Sequence, residues 1–142
     1  MHVTARVDYA VRAVVELAGS SRESPRPLHD IAAAQGIPVP FLTGILTQLR
    51  SGGVVASQRG AGYWLARPPE ELDLNRVIRA VDGSPVQVRG QAPEEVVYVG
   101  SAVALQQVWI ALRSVLEHVT IADLVAGELP QDMGALTRGA AT

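Results

Sequence analysis

Between residues 28 and 66 the chain is cut by glycine at three places. Gly36 closes a short helical stretch, residues 28–35. After Ile37 a second begins near Pro38 or Pro40, since proline suits a first helical turn, and it runs to Arg50 and stops at the Gly52-Gly53 pair. Two strand-like runs follow, residues 54–58 and 63–66, joined by Arg59, Gly60, Ala61 and Gly62 into a small hairpin with a basic tip. Ahead of this unit, Val3, Val7, Val11, Val14 and Ala18 recur at helical spacing behind Thr4 as a cap, predicting an amphipathic helix over residues 5–19.

Helix, short helix, glycine turn, second helix and hairpin, in that order, make a winged helix-turn-helix. In that arrangement the second helix of the turn motif lies in the major groove of DNA and the hairpin reaches the flanking backbone or minor groove. Within residues 28–50, Ile31, Ala32, Ile37, Leu42, Ile45, Leu46 and Leu49 can pack inward. Pro40, Phe41, Thr43, Gly44, Thr47 and Gln48 are left outside as a small, uncharged face. A glycine inside a helix costs about 1 kcal/mol against alanine, a cost with a purpose if another molecule must come close to Gly44. Charge is divided as well: residues 1–67 carry seven arginines against four acids and residues 68–142 five against ten, so a net charge of -2 hides a basic half and an acidic half. The basic half suits DNA phosphates, with Arg6, Arg50, Arg59 and Gly60 completing the expected contact set.

Arg67-Pro68-Pro69 closes the winged unit, Asp73 can cap a helix through Val81, and residues 83–97 read as an irregular connection. The longest helix is predicted over residues 98–119. In it Ala102, Leu105, Trp109, Leu112, Leu116 and Val119 are spaced 3, 4, 3, 4, 3, the alternation of an a/d seam, with Val108 and Val115 as a second stripe beside it. The seam predicts a homodimer; the alternative is that the whole apolar surface packs on its own domain. Thr120 and Asp123 begin one more short helix to Ala126, and the remaining tail shows little periodicity. The expected organisation is therefore a mainly α chain with a small β-hairpin wing: winged domain 1–82, connection 83–97, dimerisation helix with its short follower 98–126, and a flexible tail 127–142.

Chemistry is limited by what is missing. With no cysteine and three scattered histidines, His2, His29 and His118, the chain offers no disulfide, no thiolate nucleophile and little for a metal site, so no metal or cofactor is expected. Its serines stand in no G-x-S-x-G setting and no phosphate-binding glycine loop is present, which argues against an enzyme. Apolar runs fall short of a membrane span, and Asp8, Arg12 and Glu16 interrupt the first helix as no secretory leader would, so a cytoplasmic protein without membrane contact is expected.

The strand entry Gly52-Gly53-Val54-Val55 with Ser57, Arg59 and Gly60, and the wing Gly62-Tyr63-x-Leu65-Ala66 followed by Arg67-Pro68-Pro69, resemble the Rrf2 family of bacterial winged-helix transcriptional regulators. The resemblance extends over residues 1–126 except near 84–100. It implies a homodimeric regulator, usually a repressor, whose long C-terminal helix crosses its partner's and which binds double-stranded DNA at a palindromic operator. Departures from the family pattern bear on function. The family wing usually reads R-G-x-x-G-G-Y, about two residues longer than Arg59-Gly60-Ala61-Gly62-Tyr63, and a glutamate used by some members to choose sites falls on Thr43. The resemblance places the ligands of cluster-bearing members near Gln91, Val97, Val103 and Gln106, none a thiolate, while Asp8 sits where some members use a carboxylate. Regulation would then come from a small-molecule effector held near residues 83–97 or from a partner protein on the acidic half. Two other uses of the fold stay open on the residues: a protein-interaction module, and a small-molecule binder without nucleic acid.

Overall fold

The computed structural model describes residues 1–138 and is mainly helical, with a two-stranded antiparallel hairpin. Helix α1 (Ala5–Glu16) begins where Thr4 accepts the Val7 amide, as the sequence predicts, and presents Val7, Ala10, Ala13 and Val14 to the core. It ends three residues earlier than predicted. Leu17 is buried, and the amide and hydroxyl of Ser20 both donate to its carbonyl, capturing an acceptor the helix would need to continue. Helix α2 (Leu28–Gln35) stops at Gly36, and α3 (Val39–Ser51) starts behind Pro38 and carries proline in its first turn.

Strands β1 (Val55–Gln58) and β2 (Gly62–Leu65) pair with Val55 opposite Leu65 and Gln58 opposite Gly62. Arg26 adds a further rung: its amide donates to the Tyr63 carbonyl at 2.8 Å and its carbonyl accepts the Tyr63 amide at 2.9 Å. The wing is thereby tied to the segment between α1 and α2. Its tip turns on an Ala61-to-Gln58 hydrogen bond of 3.0 Å, with Gly60 at a φ of +83° in the third position of the turn and Arg59 in the second.

Helix α4 (Leu74–Asp82) is capped by Asp73, which accepts the Arg76 amide. Helices α1, α2, α3 and α4 share one core with Ile31, Leu42, Ile45, Leu46, Leu49, Leu72 and Val77 at its centre. Ile121, on α6 (Ile121–Ala126), belongs to that same core. The short follower of the long helix thus packs through Ile121 into the core of the winged domain. Its N-terminus carries the expected reciprocal cap between Thr120 and Asp123.

The long helix differs most from expectation. Residues Gly100–Ala102 form a 3-10 turn and α5 spans Val103–His118, so Ala102 precedes the helix. The five residues before it stay out of the helix because Tyr98 folds back, accepting the Trp109 indole N–H on its hydroxyl at 3.0 Å. At the other end Val119, only 4% exposed, is drawn into its own chain, where its carbonyl accepts the Leu74 amide at 2.9 Å. Residues Gln131–Arg138 form a further helix, α7, where the sequence shows little periodicity, and none of its residues is buried. The rest of the predicted tail, residues 139–142, lies outside the described residues. No helix among the described residues is long and apolar enough to cross a membrane.

Candidate nucleic-acid interface

Helix α3 divides as its sequence requires. Leu42, Ile45, Leu46 and Leu49 are fully buried, while Pro40, Phe41, Thr43, Gly44, Thr47 and Arg50 are exposed. The hydroxyls of Thr43, Thr47 and Ser51 donate to the carbonyls of Val39, Thr43 and Thr47 at 3.0, 2.9 and 3.1 Å, so each is turned onto its own helix. Phe41 leans toward α1 and meets Tyr9 edge-on at a ring separation of 6.4 Å. Gly44 has nothing within 4 Å of the place a Cβ would occupy, so no packing inside the chain accounts for a glycine there. Gly44→Ala should therefore stabilise the fold by about 1 kcal/mol in thermal unfolding while weakening DNA binding. Equal or tighter binding by the variant would remove the close-approach role.

Structure joins two residues that the sequence offers separately. Arg6, from the first turn of α1, donates through Nε to Gln48 Oε1 at 2.8 Å and through a second guanidinium nitrogen to the same oxygen. Arg50 reaches across to the wing and donates to Ser57 Oγ at 3.1 Å, so α3 and the hairpin are coupled. Arg50, Ser57, Gln58, Arg59, Gly60, Pro27 and Tyr63 are among the residues lining an open groove where the end of α3 meets the wing.

Not every arginine of the basic half is available. Arg12 pairs with Asp8 at 3.0 Å and Arg26 with Glu16 at 3.3 Å, and Gln35 links the two pairs by bonding both Arg12 and Glu16. Asp8 is accordingly an ion-pair partner on α1 rather than a ligand. Of the arginines in residues 1–67, Arg6, Arg22, Arg50, Arg59 and Arg67 form no ion pair, and three of these, Arg6, Arg50 and Arg59, stand on α1, α3 and the wing tip.

A helix-turn-helix with a basic wing matches the model of a protein family over residues 3–127, and that family is described as Rrf2, iron-dependent transcriptional regulators. The chain belongs to the Rrf2 family. Its similarity to Rv1287 of Mycobacterium tuberculosis, described as an HTH-type transcriptional regulator, is 44% identity over 96% of this chain and 88% of that protein. To IscR of Serratia proteamaculans it is 36% identity over 88% of this chain and 79% of that protein. Among solved structures it resembles CymR, the global cysteine regulator of B. subtilis, with a TM-score of 0.74 and 26% identity over 89% of this chain and 97% of that one. This Rrf2 member is a winged helix-turn-helix, DNA-binding transcriptional regulator and not an enzyme.

The iron in the family's description is a poor fit to this chain. It has no cysteine, and no three His, Asp or Glu side chains converge among the described residues. At the positions that the resemblance matches to the ligands of cluster-bearing members, Val97 and Val103 are exposed, and Gln106 is a brace. Its amide donates to the carbonyls of Pro93 and Val96, both at 3.0 Å, pinning the connection to α5. Arg113 assists by gripping the Glu94 carboxylate, with Nη1 to Oε2 at 2.8 Å. That hydrogen bond holds Glu94 below its ordinary value of 4.5, so the bond's contribution is complete above that pH and is lost as the pH falls through the lowered value. The purified Rrf2 protein is expected to contain no stoichiometric iron and to show no visible charge-transfer absorbance after anaerobic reconstitution. A band that tracks with iron content would overturn this.

Helix α5 has no buried residue, and its outward side takes residues from both of the stripes read in the sequence. The side turned to the chain carries Gln106, Trp109, Arg113 and Leu116; Leu116 packs against the core and Trp109 is half-buried. The side turned outward carries exposed Leu105, Val108 and Leu112, with Ala104 and Ala111 beside them and half-buried Val115 continuing the row in the 3, 4, 3 spacing. Val108 is 50% exposed and Leu112 38%. Of the predicted seam only Leu105 and Leu112 belong to this face, together with the two valines of the second stripe.

Proposed function

We propose that the protein is a homodimeric repressor, working in the cytoplasm, that occupies a palindromic operator through α3 and the wing without an iron-sulfur cluster. The reading is carried by the exposed face of α3, with its unpaired Arg50, standing beside a wing whose tip carries unpaired Arg59. The contact set is Arg6, Pro40, Phe41, Thr43, Gly44, Thr47, Gln48, Arg50, Arg59 and Gly60. Self-association is supported by the outward row of Leu105, Val108 and Leu112, continued by half-buried Val115, an a/d pattern left largely uncovered on the helix surface. Two recognition helices reach successive major grooves on one face of DNA only if a dimer holds them about 34 Å apart. A regulator this small, with its main surfaces engaged by DNA and by its own copy, acts by blocking access to the promoter it covers.

Binding to duplexes selected from genomic fragments tests the reading. Affinity should fall steeply with salt, with a slope near -0.9 per phosphate contact. Arg59→Ala should lessen that slope by about one unit per bound subunit while leaving sequence preference intact. Failure to retain any duplex at low salt would favour a protein-interaction module. For control, a cavity of about 250 Å³ between α4, the connection and α5, lined by Asn75, Arg79, Ser84, Gln87 and Arg113 among others, favours a small polar effector over a partner protein. A ligand there acts by preferring one of two dimer arrangements.

A further inference from the structure

We infer that Arg6 is a specificity-determining positioning residue, one that makes Gln48 a hydrogen-bond donor to guanine and denies it the paired contact to adenine. The inference rests on the DNA reading above. A free glutamine in the major groove reads adenine by using both ends of its amide, accepting from N6–H and donating to N7. Arginine has donors only, so whichever way a side-chain amide is drawn, the end facing a guanidinium must be its carbonyl. Two nitrogens of Arg6 share Gln48 Oε1, which leaves Nε2 as the end free to meet a base. An amide restricted to donation matches guanine, whose N7 and O6 are both acceptors, and conflicts with the N6 donor of adenine.

The surroundings of Gln48 fit that role. Arg6 is half-buried and has no acidic partner, so no competing carboxylate draws it away from the amide. Gly44 stands one helical turn before Gln48, and helical side chains lean toward the N-terminus, so Gln48 lies over Gly44. With nothing within 4 Å of a Cβ at Gly44, a base edge can approach the amide across that gap. The chain supplies no carboxylate on α3 to read cytosine, and the Thr43 and Thr47 hydroxyl hydrogens are taken by their own helix.

Parallel selections from a random duplex pool with wild type, Arg6→Met and Gln48→Ala test this. Wild type should prefer guanine over adenine about tenfold at one position per half-site, Arg6→Met should shift that position toward adenine, and Gln48→Ala should lose the preference there. A uniform loss of affinity in Arg6→Met, with base preference unchanged, would assign Arg6 to phosphate or to folding and overturn the inference. So would a wild-type preference for adenine at the position that Gln48→Ala relaxes. If wild type selects no duplex, the DNA reading itself falls, and this inference with it.

Discussion

Leu112→Asp is expected to yield a monomer in light scattering and to weaken binding to a palindromic duplex by about 10² to 10⁴-fold. Leu112 lies in the middle of the outward row of α5, between Val108 and Val115, and is already 38% exposed in the single chain. An aspartate there meets water in the monomer, so the fold itself should change by no more than about 0.5 kcal/mol. Across a two-fold interface the same carboxylates would face each other's apolar row and be desolvated without partners. Once the dimer is lost, the second half-site no longer benefits from the high local concentration set by the first, which is the source of the expected loss. Trp109→Ala offers the contrast. The indole is half-buried against its own connection and bonded to Tyr98, so its removal should loosen the connection while leaving the dimer intact. A wild-type protein that is monomeric at micromolar concentration would remove both the interface and the palindrome.

Gly62→Ala should destabilise the fold by about 2 to 3 kcal/mol, lowering the melting temperature by roughly 5 to 10 °C. Two causes coincide at this residue. Its φ of +132° is one that side-chain-bearing residues rarely adopt, and a Cβ would lie 2.4 Å from the Arg26 carbonyl oxygen, well inside any tolerable contact. That carbonyl accepts the Tyr63 amide, so it cannot retreat without breaking the rung that holds the wing. The wing would swing away from α3, Arg50 would lose Ser57, and DNA affinity should fall along with stability. Gly60→Ala separates the two causes: its φ is also positive, yet nothing lies within 4 Å of its Cβ position, so a smaller loss is expected. Equal melting temperatures for Gly62→Ala and wild type would show that the Arg26 rung does not constrain the wing.

The elements most legible in the residues are those whose ends are decided by neighbours in the chain. Gly36, Asp73 and Thr120 act on groups within a few positions, and the helices they bound stand where the sequence predicts them. The division of α3 into buried leucines and an exposed small face follows in the same way from helical spacing alone. Missing cysteine likewise removes thiolate ligation without reference to any fold, because thiolate softness cannot be assembled from other side chains.

Tertiary contacts decided the rest. On α5, two overlapping sets of residues satisfy the same 3,4 alternation, one through Trp109 and Leu116 and one through Val108 and Val115, and spacing cannot rank them. The ranking comes from bonds between distant residues: Gln106 to Pro93 and Val96, Trp109 to Tyr98, Arg113 to Glu94. These turn one face of the helix to the chain and release the other. Arg6 and Gln48 each enter the expected contact set from the sequence, but 42 positions separate them, and only the packing of α1 on α3 makes them a pair. A local pattern specifies an element and its apolar side because the groups involved are covalently near. Which side meets its own domain depends on hydrogen bonds across the fold, and those exist only once the chain has closed on itself.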